Sequence, residues 1–171
     1  MSDNEQQAQF ERLVMPHLDA AYNLARWLAG NDHDAEDIAQ EASVRAFRFV
    51  GGCRGSDGRA WLLTIVRNTA YSWFKKNRPH AVVSIDDDDF AEIEDPRSAT
   101  GSFHSADTNT LRAALESLPL EFRESLVLRE LEGLSYKEIA EVAEVPVGTV
   151  MSRLARARRQ LQSALIEKEK T

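Results

Sequence analysis

The sequence predicts an all-α protein of two small helical domains joined by an acidic, flexible linker. Three observations carry this. Apolar residues recur at helical spacing almost throughout, while alternation of the strand kind bounded by turn residues is nearly absent. The periodicity stops between residues 80 and 106, where seven acids fall within the ten positions from Asp86 to Asp95. The last helix is strongly basic: Val145 to Leu161 holds four arginines and no acid, in a chain whose formal net charge is -7.

The first helical stretch runs from about Glu5 to Ala29, and Pro16 should split or kink it because it lacks an N–H and clashes with the preceding turn. Gly30 ends it. Asn31 or Asp32 can cap the next helix, whose first turn is enriched in acids that favour its dipole (Asp34, Glu36, Asp37). That helix reaches about Val50, where "GGCRGSDG" breaks the pattern. A third helix runs from about Gly58 to Asn77 and stops before Pro79. The domains are therefore 1–79 and 107–171, with 80–106 as linker, since a long segment without periodicity is out of place within one compact domain. In the second domain, "TNTLRAALESL" is amphipathic, and the stretch opened by Pro119 ends at Gly133. Ser135 and Glu138 form a capping box, and Pro146 introduces the last helix.

On a helical wheel, Val150, Leu154, Ala157, Leu161 and Leu165 make one stripe that must face a core. Ser152, Arg156 and Arg159 lie opposite, Thr149 and Ala155 beside them, and Arg153 and Arg158 on the flanks, so the arginines are expected to surround an exposed face. The preceding helix offers Tyr136, Ile139, Ala140 and Ala143 on one face. Two short helices with a brief turn, the second basic, describe a helix-turn-helix. Its second helix enters the major groove, and arginine suits phosphate and guanine contacts there. Basic amphipathic helices also bind acidic proteins or membrane surfaces. The capped first helix, the short turn, the Pro-initiated second helix and the acid-free arginine face together favour DNA.

Ala35, Ile38, Ala42, Ala46 and Phe49 form an apolar face of the second helix, with Asp37, Gln40, Glu41, Val44 and Arg48 opposite. An acidic stripe repels phosphate and suits a basic protein partner. In the third helix, Leu62, Ile65, Val66, Thr69 and Trp73 point one way, and Thr64, Arg67, Asn68, Tyr71 and Lys75 another. From Arg54 to Arg78 there are six basic residues and one acid. Cations beside an aromatic ring and an amide suit single-stranded DNA. Tyr71 can stack on a base or pack; Trp61 and Trp73 read as core.

At these residues the chain resembles a known family. "LPLEFRESLVLRELEGLSYKEIAEVAEVPVGTVMSRLARARRQL" resembles sigma domain 4, the promoter-binding domain of extracytoplasmic-function sigma factors in the sigma-70 family. "DAEDIAQEASVRAFRF" is similar to the polymerase-binding helix of sigma domain 2, and "RGSDGRAWLLTIVRNTAYSWFKKNRP" to the segment of that domain that melts and reads the downstream element. The resemblance implies a non-enzymatic initiation factor whose partners are core RNA polymerase, promoter DNA as duplex and melted strand, and an anti-sigma protein. It implies duplex contacts from Thr149, Ser152, Arg153, Arg156 and Arg159. Melted-strand contacts would come from Arg54, Thr64, Arg67, Asn68, Tyr71 and Lys75, with Asn68 matching the family's reader of an extruded base. Polymerase contacts would come from Asp37, Gln40, Glu41 and Val44. The sequence departs from the family at Glu144, where glycine is common in the turn, and at Met151, where Lys or Arg is common, so the promoter sequence does not carry over.

No cofactor or metal is expected. Cys53 is the one cysteine, read as a small residue in a turn, and His17, His33, His80 and His104 are scattered. Neither paired carboxylates, nor a nucleophile with its base, nor a phosphate loop stands at useful spacing, which argues against an enzyme. No apolar run approaches the ~20 residues of a membrane span, and the polar N-terminus lacks a signal-peptide pattern, so a cytoplasmic location without membrane insertion is expected. A dimeric helix-turn-helix repressor and a decoy that only occupies polymerase are the competing readings.

Overall fold

The computed structural model describes residues 1–55, 57–81 and 108–169. Of the acidic linker read from the sequence, residues 82–106 lie outside them, and its first two residues complete a 3-10 turn, Pro79–Ala81. The described residues are helical, without strands, and fall into two compact units, one made by the helices before residue 82 together with Glu141–Glu144 and one by the rest of the helices after 107.

In the first unit, Ser2 and Glu5 form a reciprocal capping box at the start of α1 (Asp3–Leu13). Pro16 splits the first helical stretch as expected: a single 3-10 turn, Met15–His17, separates α1 from α2 (Leu18–Ala29). Gly30, at φ 85, ends α2 in the left-handed region that glycine adopts without strain. Asn31 is the residue that caps α3 (Asp32–Phe49), its side-chain oxygen accepting the Asp34 N–H at 2.9 Å. A 3-10 turn (Val50–Gly52) and a short loop lead to α4 (Arg59–Asn77). α2, α3 and α4 pack on one another, with α1 alongside.

Their core holds Leu24, Leu28, Ile38, Leu62, Leu63 and Phe74, all essentially without solvent contact. Each stabilises the fold by roughly 1.5–3 kcal/mol on burial. Gly58, which precedes α4, sits against the backbone of α1: a Cβ there would overlap the Leu13 carbonyl. Only glycine lets the two chain segments come this close.

In the second unit, α5 (Thr108–Glu116) is followed by α6 (Leu120–Leu126), which continues as a π turn over Val127–Leu131. The wide turn is closed by the Glu132 N–H on the Val127 carbonyl and the Leu134 N–H on the Leu128 carbonyl, both at 3.0 Å. Arg123 ties α6 back to α5, donating to the carbonyls of Leu115, Glu116 and Leu118 at 3.0–3.1 Å. The Ser135–Glu138 capping box forms at the start of α7 (Tyr136–Ala143). The turn then passes through Glu144, at φ 58 the one non-glycine residue with positive φ among those described. α8 (Val147–Glu169) follows.

The stripe expected to face the core does so: Val150, Leu154, Ala157, Leu161 and Leu165 are buried, chiefly against α6 and α5. Among the described residues, no helix is long and apolar enough to cross a membrane.

Candidate nucleic-acid interfaces

The α4 face is assembled around Arg67. Its guanidinium lies over the Tyr71 ring, 3.8 Å from the centroid, and donates to the Asn68 side-chain oxygen at 3.3 Å. All three side chains are half-buried. The cation and the amide are thus held beside one aromatic face, the combination that accommodates a strand with unstacked bases. Tyr71 accordingly packs on a cation within its own helix. Thr64 is half-buried on the same helix, its hydroxyl turned back onto the Ala60 carbonyl at 2.8 Å. Lys75 is exposed toward the end of the helix, and Arg54 is exposed in the preceding loop. Trp61 and Trp73, read as core, are both half-exposed.

Arg78 belongs to the cations of this segment by sequence, and the structure gives it another task. Nη1 donates to the Ala29 carbonyl at 2.9 Å, Nη2 pairs closely with Asp34, and the guanidinium approaches the rings of Trp73 and Phe74. It fastens the end of α4 to the end of α2 and the start of α3. The Asn31 amide and this guanidinium hold the Asp34 carboxyl below its ordinary range, against the opposing effect of burial.

Asp37, Gln40, Glu41 and Val44 form an exposed row along α3. Val44 is 58% exposed, an apolar side chain inside an otherwise polar row. Glu41 is bridged to Arg45 at 2.7 Å, and Arg45 reaches Thr69 on α4 at 3.3 Å. The apolar face of α3 is shorter than expected. Ala35, Ile38, Ala42 and Ala46 are buried, but Phe49, the last residue of the helix, is 58% exposed, and Val50 of the following 3-10 turn is buried in its place. Phe47, which the periodicity did not single out, meets Phe10 of α1 edge to face at 5.4 Å.

On α8, Arg159 is exposed and Thr149, Ser152 and Arg156 are half-exposed. The Arg156 guanidinium lies 5.6 Å from the Phe122 ring centroid. Arg153 corrects the sequence reading. It is 7% exposed and paired with Glu121 of α6 at 3.3 Å, and Arg158, 3% exposed, is paired with Glu130 at 2.6 Å. Both lie within the α6–α8 packing and not on the outer face; Ala155, expected beside that face, is also buried. Wheel positions beside a stripe are buried or exposed according to how closely the neighbouring helix approaches, and periodicity does not report that distance.

His33, Asp34 and Asp37 bring ligand-type atoms within 4.8 Å of one another. Asp34, however, is already committed to Arg78 and Asn31, so the group offers a cation little free charge. Cys53 is buried, and burial raises its thiol above the ordinary range, opposite to what a reactive thiolate requires.

Comparison with known proteins accounts for both units. The "Sigma-70 region 2" model matches residues 13–80, and the "Sigma-70, region 4" model matches residues 108–161. The chain is 35% identical to the RNA polymerase sigma-H factor of Pseudomonas aeruginosa, over 91% of this chain and 86% of that protein. It is 39% identical to the ECF RNA polymerase sigma factor SigE of Mycolicibacterium smegmatis, over 91% of this chain and 61% of that longer protein. Among solved structures it resembles the sigma factor RpoE of Bartonella quintana, determined with the anti-sigma factor NepR (TM-score 0.69, 28% identity, 90% of this chain and 94% of that one). It also resembles CnrH in complex with the cytosolic domain of CnrY (TM-score 0.66, 25% identity, 94% and 90%). The chain belongs to the sigma-70 family, as an RNA polymerase sigma factor of the extracytoplasmic-function (ECF) group, and is a transcription initiation factor rather than an enzyme.

Proposed function

We propose that the two domains, 1–79 and 107–171, divide the work of promoter-specific initiation, with α3 docking on core RNA polymerase, α4 capturing the melted strand and α8 reading duplex DNA upstream. The observation that carries this reading is the exposed row Asp37, Gln40, Glu41 and Val44 on the same unit as the cationic α4 face. An acidic row repels phosphate, and its exposed valine suits a protein surface, so α3 calls for a protein partner while α4 calls for a nucleic acid. On α4, Arg67, Asn68 and Tyr71 form the centre of the melted-strand site, with Thr64 and Lys75 of the same helix and Arg54 of the preceding loop supplying backbone contacts. On α8, Thr149, Ser152, Arg156 and Arg159 contact the duplex. The chain acts in the cytoplasm, where its polymerase partner is. The Bartonella quintana relative, solved with an anti-sigma factor, supports an anti-sigma partner here.

The test is reconstitution with core polymerase and a promoter-specific transcription assay. Initiation from defined start sites is the expected result. Duplex binding without initiation would favour a repressor, and polymerase binding without initiation a decoy.

A further inference from the structure

We infer that Arg153 and Arg158 are positioning residues that clamp α8 in one rotation about its axis, so that the pairs Arg153–Glu121 and Arg158–Glu130 determine which side chains α8 presents to duplex DNA. This rests on the reading of α8 as the duplex-contacting helix and deepens it.

Five residues apart, the two arginines lie about 140° apart around the helix. The buried stripe of Val150, Leu154 and Leu161 runs between them. Each is nearly inaccessible, and each meets a carboxylate from the same neighbouring stretch: Glu121 in the first turn of α6, Glu130 in the π turn that continues it. An apolar stripe tolerates some rolling of one helix on another, because dispersion and hydrophobic contacts have little directionality. Charge-assisted hydrogen bonds of guanidinium to carboxylate are directional. An ion pair on each side of the stripe, hydrogen-bonded at Arg158–Glu130, opposes rotation in both senses.

Such pairs are weak sources of stability relative to apolar residues, and fixing register is their best-attested role. The π turn belongs to the device, because the wider turn sets the direction in which Glu130 leaves the backbone. The residues offered to DNA are those on the accessible side, Thr149, Ser152, Arg156 and Arg159, and a rotation by a fraction of a turn would exchange which of them faces the base edges.

The experiment uses the full chain with core polymerase. Duplexes selected from a random pool by the wild type define its upstream element. A wild type that selects none overturns both the duplex reading and the clamp. With the element in hand, its preference over a scrambled duplex and the salt dependence of binding are measured for Glu121→Gln, Arg153→Gln and the double variant. The clamp predicts a loss of roughly tenfold in preference for each single variant and no further loss in the double, since the two residues act as one unit. It also predicts an unchanged slope of log affinity against log salt concentration, because no phosphate contact is removed. A slope reduced by about one in Arg153→Gln, with Glu121→Gln like the wild type, would show that Arg153 touches phosphate and would overturn the inference. If Arg153→Gln does not fold, Glu121→Gln decides alone, and wild-type preference in that variant would equally overturn it.

Discussion

Asp34 sits where the end of α2, the start of α3 and the end of α4 converge, with Arg78, at the end of α4, reaching across to the other two. The Asn31 amide and the Arg78 guanidinium both favour its ionised form, so its folded-state pKa lies below that of the unfolded chain. A group whose pKa is lowered by folding contributes stability at pH above its unfolded value, and that contribution disappears as pH falls through the folded one. Asp34→Asn should therefore lower the unfolding midpoint of the first unit at neutral pH. The gap to the wild type should close below about pH 3.9, the ordinary aspartate value. Denaturation curves of both proteins across pH check this; a gap independent of pH would assign the effect to packing alone. Arg78 itself shows the limit of counting charges along a sequence. It stands in a basic run, and its guanidinium is spent on a carbonyl, a carboxylate and two ring faces.

Two junctions between elements make further predictions. Glu144 holds the α7–α8 turn in the left-handed region at φ 58, a conformation that strains an L side chain. Glu144→Gly should raise stability by roughly 0.5 kcal/mol, the relief of that strain less the greater freedom glycine has when unfolded. A fall in the unfolding midpoint would mean that the glutamate side chain contributes more than its backbone costs. Gly58→Ala should act in the opposite direction and more strongly, because its Cβ would meet the Leu13 carbonyl, which the packed backbone of α1 cannot easily withdraw. A loss of about 1–3 kcal/mol is expected, measurable by chemical denaturation. At this scale much was legible beforehand: the split at Pro16, the Ser135–Glu138 box and the buried stripe of α8 all follow from local chemistry and periodicity. The π turn of Val127–Leu131 was not, since its residues are ordinary helix formers and nothing in their spacing marks a wider turn.

For the whole molecule, the proposed division of labour predicts that separate steps of initiation fail separately. Asn68→Ala should impair promoter opening while leaving duplex binding near the wild-type level, and Arg156→Ala should weaken binding to the upstream duplex by roughly 1–3 kcal/mol. Gel-shift on duplex promoter and permanganate footprinting of the open complex read the two steps independently, and equal loss of both in Asn68→Ala would contradict the division. Part of each site was visible in the sequence. The α3 row and the α4 face emerge from helical spacing and charge, whereas the Arg67–Tyr71–Asn68 contact and the burial of Arg153 and Arg158 do not, because neither rotamer nor interhelical distance is encoded in periodicity.

By itself the sequence determined the helical class, most helix ends, the core-facing stripe of α8 and the family, because each rests on local propensity, capping chemistry or the order of motifs. Only the tertiary structure decided which charged residues remain available. An arginine's task depends on whether a carboxylate or carbonyl from another helix comes within hydrogen-bonding distance, and that follows from helix packing rather than from position along the chain. Thus Arg78, Arg153 and Arg158 became internal ties, while Arg67 remained beside Tyr71 and Asn68, and Arg156 and Arg159 remained on the accessible side of α8.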